Sequence, residues 1–144
     1  MNYSKEEIHY MLEDCYFFHE DLTKALMDAF SYLPRETVDR IINGVFFMVF
    51  SGSSLHFSKN IINGRNVVAF DEKDLAEENK RVITVLYEAA HYICGHDNTL
   101  LAPEEISGQR LKEAWDKVRE WLPDEFGKDI EVAEKKAEAG KRSS

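Results

Sequence analysis

The segment from residue 45 to 71 constrains the fold most, because it interrupts an otherwise helical pattern with strand-like sequence. The run VFFMVF at 45–50 is apolar on both faces and ends in the turn-forming stretch Ser51-Gly52-Ser53-Ser54, as a buried strand does. LHFSKNII, Asn63-Gly64 and RNVVAFD follow, and an Asn-Gly pair between two strand-like runs is a strong short-range hairpin signal. Three strands are expected, with their order open. The tetrapeptide IING occurs at 41–44 and 61–64, but its flanks imply helix in one place and hairpin in the other, so it is no structural repeat.

Helical patterns lie on both sides. Ser4 and Glu7 form a capping-box signature, and Ile8, Met11, Leu12, Cys15, Leu22 and Leu26 recur at helical spacing. This predicts one helix over roughly residues 5–31 with a bend near His19. Pro34 suits a first helical turn, Val38, Ile41 and Ile42 make an apolar face, and Asn43-Gly44 supplies the stop of a short second helix. Asp74 and Glu77 resemble another cap. Leu75, Val82, Ile83, Leu86, Ala90 and Ile93 mark the long helix that follows, ending near Gly95. Pro103 opens a further helix with the stripe Leu111, Trp115, Val118 and Leu122, stopped by Pro123. The predicted class is therefore α+β: N-terminal helices, a small three-stranded sheet with a hairpin, a long helix beneath the sheet and a C-terminal helix. One domain is expected over 1–123, and a charged segment with little to bury is expected as a mobile tail over 124–144.

Composition narrows the partners. Against 18 basic side chains stand 27 acidic ones, a formal charge of −9 that repels phosphate backbones and anionic lipid surfaces, so nucleic acid is not an expected partner. MNYSKEE lacks a basic-then-apolar leader pattern, and no apolar run approaches the ~20 residues needed to span a bilayer; a cytoplasmic location is expected. Cys15 and Cys94 form neither a disulfide framework nor a CxxC pair and read as buried thiols.

The chemistry concentrates in VLYEAAHYICGHD at 85–97. Tyr87 and His91 stand four apart on one side of the helix, with Glu88 directly after Tyr87. The template is H-E-x-x-H with tyrosine in the first place. In that template two histidines bind zinc from one helical face, while the glutamate activates the metal-bound water. Tyrosine is a different ligand: imidazole binds while neutral, whereas a phenol with a pKa near ~10 must lose its proton first. His96 is the nearest side chain that can be recruited in its place.

A strand ending in Asp71, a helix soon after it, the phrase AHYICGH and a later amphipathic helix ending in WLP together resemble the ImmA/IrrE-type zinc metallopeptidases over about residues 45–123. The resemblance implies a zincin-like fold and a zinc-dependent peptidase with Glu88 as catalytic base. It also implies a third, acidic ligand on the helix after the motif. Glu113 has the family-like position ten residues before Pro123, but at about 100° per residue it points away from the apolar stripe, whereas Glu104 lies close to it. The resemblance further implies an extended peptide bound by β-augmentation beside Val67–Phe70.

Each residue also has a structural reading. His91 can be a hydrogen-bonded histidine beside the core, Glu88 a vestigial carboxylate, and Tyr87 a packed ring. His96 can interact with helix-terminal carbonyls, Glu104 can favour a helix N-terminus, and Glu113 can be surface charge. Two functions compete on these residues: a zinc peptidase using His91, His96 or Tyr87, and Glu104 or Glu113; or a metal-free zincin-like module that binds a peptide or protein without hydrolysing it. A di-iron bundle built on Glu6-x-x-His9 and Glu88-x-x-His91 needs four facing helices, which the strand-like region removes. Ser-His-Asp catalysis has no GxSxG to support it, and no phosphate-cradling glycine loop is present.

Overall fold

A computed structural model of the chain describes residues 2–15, 20–50, 61–62, 65–94 and 108–142. The first helix, α1 (Lys5–Cys15), starts on the predicted capping box: Glu7 N–H donates to Ser4 Oγ and Ser4 N–H to Glu7 Oε1, both at 3.1 Å. α2 (Glu20–Phe30) buries Leu22, Ala25, Leu26, Ala29 and Phe30. One bent helix over 5–31 is not what forms. Lys5 Nζ lies 3.0 Å from Asp28 Oδ1, whereas a continuous helix would separate those residues by about 35 Å along its axis. The two helices fold back on one another, which lets Ile8 and Leu12 of α1 share a core with α2.

After Pro34, α3 (Arg35–Gly44) buries Val38, Ile41 and Ile42 and passes directly into β1 (Val45–Phe50). Gly44 makes a close approach: a β-carbon there would overlap the Tyr92 hydroxyl, so a side chain at this position would displace the Tyr92 ring. β2 (Ile61–Ile62) and β3 (Arg65–Asp71) form the expected hairpin: Ile62 pairs with Arg65 across the two-residue Asn63-Gly64 connection. The order is β1-β3-β2, with β1 parallel to β3 from Val45↔Asn66 to Phe50↔Asp71. One face is closed by aromatic packing, in which the Phe47 and Phe70 rings stack at 5.8 Å and Phe30 reaches Phe47 at 6.0 Å. β3 is thus the central strand, and Val67–Phe70 is occupied along one side by β1. On its other side the described pairing stops at Asn66.

The chain then makes a 3-10 turn (Glu72–Leu75) and enters α4 (Glu78–Ile93). The expected cap at Asp74 and Glu77 does not form. Asp74 belongs to the 3-10 turn, and Glu77 precedes α4 in extended conformation without a side-chain capping bond. α5 (Gly108–Trp121) presents the predicted stripe, with Leu111, Trp115, Val118 and Leu122 all buried; Pro103 lies outside the described residues. From Asp124 the chain departs from the expected tail. A 3-10 turn (Asp124–Phe126) leads into α6 (Gly127–Arg142), and Phe126 and Ile130 are buried in the common core. Phe126 meets Tyr32 edge-on at 5.5 Å, and Arg119 of α5 forms paired hydrogen bonds to Glu134 at 2.9 and 3.0 Å. Phe126 and Ile130, one turn apart, with Ala133 against the same core, dock a segment that is otherwise rich in Glu, Lys and Ala. The described architecture is α+β, and none of its helices is long and apolar enough to cross a membrane.

Candidate functional site

The residues of α4 divide by angle around the helix. Val82, Val85, Leu86, Ala89 and Ala90 point into the core, with Ile93 half-buried at its edge. Tyr87 and His91, one turn apart, flank that stripe, and Tyr87 meets α5. The Tyr87 ring stacks on Trp115 at 4.5 Å with 27° between planes, and meets His91 edge-on at 4.5 Å and 85°. His91 is 3% exposed and Trp115 4% exposed. Tyr87 is therefore a phenol ring held between an imidazole and an indole. Such aromatic contacts contribute about 0.5–1.5 kcal/mol beyond the area they bury.

Electrostatics at this end of α4 follow from exclusion of water. Burial, and secondarily the Glu88 charge, push the Tyr87 hydroxyl well above the usual phenol range, which opposes the phenolate a metal would need. Burial raises the Glu88 carboxyl to about 8, so the group is mainly protonated at neutral pH. Glu88 as a whole is half-buried, but its Oε2 is enclosed and makes no hydrogen bond to the described residues; the same holds for the indole Nε1 of Trp115. A neutral carboxylic acid donates a proton rather than accepting one from water.

The other candidate ligands do not join this pair. Glu113 is exposed on α5, where its Oε1 accepts a hydrogen bond from Gln109 at 3.2 Å. Its charge is felt instead at Cys94, whose thiol is raised first by burial and then by Glu113. His96 and Glu104 lie outside the described residues. Among the described residues no three His, Cys, Asp or Glu side chains come together in a way that could hold a metal ion. Zinc does not fit the described donors: the phenol is packed and resists ionisation, the glutamate is enclosed, and the acid expected from α5 faces water. On α1, Glu6 is exposed and His9 sits 3.4 Å from Glu13 of the same helix.

Two features of the site carried no readable signal in the sequence. Arg81 of α4 donates from Nε at 3.0 Å to Asp28 Oδ2 and also pairs with it through Nη2, tying α4 to α2 across 53 positions of chain. Burial alone would raise the Asp28 carboxyl, but hydrogen bonds and charge from Arg81 and Lys5 outweigh it and hold the group below the usual carboxylate range. The second is a groove of about 800 Å³ beside Tyr87 and Trp115, lined by α4, α5, α6 and the 3-10 turn before α4. No family model, curated protein or solved structure matches the chain.

Proposed function

We propose that the chain is a zincin-like domain whose zinc site is degenerate and which acts as a non-catalytic protein- or peptide-binding module. The observation that carries this reading is the Tyr87 ring, stacked on Trp115 and edge-on to His91, in the place where the template puts its first imidazole. A ring held on two sides is not free to swing aside for another ligand, and its hydroxyl resists the ionisation that zinc binding requires. Glu88, mainly protonated at neutral pH, lacks the charge of a general base. The zincin-like part of the proposal rests on the phrase YEAAHYICGH, of which Tyr87 to Ile93 lie on α4; α4 packs chiefly against α2 and α5 and not beneath the sheet as the sequence predicts.

Tyr87→His tests both halves. If the helix retains zincin-like geometry, the variant regains two imidazoles on one face and binds zinc measurably more tightly than the parent. Unchanged affinity in a folded variant contradicts the zincin-like geometry. Hydrolysis of unfolded peptide by the parent protein, abolished by a chelator and by Glu88→Gln, contradicts the non-catalytic half.

A further inference from the structure

The groove beside Tyr87 has two kinds of lining. Its apolar part consists of Ile83 and Trp115 at the floor, both buried, and the more accessible Tyr87, Val132 and Ala133, with Val132 65% exposed. Its charged part sets Asp74, Glu77, Glu78 and Asp129 against Lys80. Lys80 is engaged by Asp74 at 3.4 Å, and Asn79 donates to Asp129 at 3.2 Å. Glu77 and Glu78 are exposed and have no ion pair among the described residues.

Charge decides what can occupy such a groove. A second copy of the chain would bring its formal charge of −9 against these carboxylates, and an anionic ligand meets the same repulsion. A wholly apolar occupant would take carboxylates out of water without replacing their solvation. An occupant with apolar anchors flanked by lysine or arginine meets both demands. Size agrees, since the α4 residues from Glu78 to Tyr87 cover about 14 Å of helix axis, the length of about nine helical residues.

We propose that this groove docks a basic, amphipathic segment of a partner protein, with its apolar side chains on Tyr87, Val132 and Ala133 beside Trp115 and its cationic ones on Glu77, Glu78 and Asp129. This deepens the binding-module reading and rests on it. It places the binding surface in the groove between α4, α5 and α6 rather than at the sheet edge beside Val67–Phe70. The mode is an amphipathic segment in a groove, with exposed charges that speed encounter and fix orientation.

The probe is a fluorescent peptide of about 12 residues, leucines at helical spacing and lysines elsewhere, long enough to span the groove as a helix. Its partner control carries glutamate in place of lysine. The protein variants are Glu77→Lys with Glu78→Lys, Val132→Asp, and Glu36→Lys on the exposed start of α3 as an off-groove control. The lysine peptide binds and the glutamate peptide does not; the paired charge reversal and Val132→Asp each weaken binding about tenfold or more, and Glu36→Lys changes it less than about twofold. Of the two tryptophan indole N–H resonances, that of Trp115 moves on binding while that of Trp121, outside the groove, stays. Absence of binding overturns the proposal. So does weakening by Glu36→Lys equal to that of the groove variants, or an unmoved Trp115 resonance, since either marks diffuse charge attraction. A dimer of the parent protein that Val132→Asp dissolves assigns the groove to a second copy and also overturns it. Zinc titration of the same samples separates the two readings: stoichiometric zinc contradicts the metal-free module whatever the peptide does, whereas failed peptide binding without zinc removes only the groove.

Discussion

The two halves of α4 carry similar residues in opposite surroundings. Toward the N-terminus, Glu77 and Glu78 stand in water beside an open groove, and Arg81 ties the helix to α2 through Asp28. Toward the C-terminus, Glu88 has an enclosed carboxyl oxygen, His91 is buried, and Tyr87 is stacked against α5. A carboxylate acts according to its access to water. The exposed pair can meet a cationic partner, while the enclosed glutamate holds its proton to about pH 8. The glutamate inside the YEAAH phrase is thus enclosed, the glutamates at the other end of the helix stand in water, and Tyr87 lies between them, stacked on Trp115 and bordering the groove.

The largest effect expected from breaking this arrangement is at Leu86, which is fully buried where the halves meet. Leu86→Ala costs about 2–5 kcal/mol in chemical denaturation, because it removes buried methyl groups and leaves a cavity. A midpoint equal to that of the parent contradicts the orientation assigned to α4.

Next is the pH dependence contributed by Glu88. The unfolded chain releases that proton near the ordinary value of 4.5, and the folded protein keeps it to about 8. The native state therefore binds more protons between these values, and stability falls as pH rises through the window, by at most about 1.4 kcal/mol per unit. Below the window both states are protonated, and above it both are ionised, so the contribution is flat on either side. Glu88→Gln removes this slope. Denaturation curves across the window that fall equally steeply in parent and variant contradict the enclosure of the carboxyl group.

A smaller effect sharpens the difference between the halves. Asp28→Ala leaves Arg81 partly buried without its carboxylate and costs about 1–3 kcal/mol. Amide hydrogen exchange should then accelerate in the first turns of α4 more than around His91, because the Tyr87–Trp115 stack is untouched. Equal acceleration along the helix would show that α4 responds as a single unit.

Legibility in the sequence followed the range of the interactions. The capping box at Ser4 and Glu7, the Asn63-Gly64 hairpin and the apolar stripe of α5 rest on neighbours within a few positions, and each forms as read. The fold-back of α1 on α2 was hidden because an apolar period continues across it, so one helix and two packed helices share a pattern. The start of α4 was misplaced because Asp74 and Glu77 have the spacing of a cap, while the backbone there takes a 3-10 turn instead. At the site, Tyr87 and Trp115 were each readable as packed aromatics, but their stacking depends on how α4 and α5 cross. The Asp28–Arg81 tie and the groove likewise arise only from assembly.

The central claim is that Tyr87 closes the position a zinc ligand would occupy. The measurement that bears on it most directly is a zinc titration of the parent protein against a chromophoric chelator, beside Tyr87→His and His91→Ala. The account predicts weak or absent zinc binding in the parent, unchanged by His91→Ala, and a measurable gain in Tyr87→His. One equivalent of zinc that withstands the chelator in the parent and is lost in His91→Ala would contradict it.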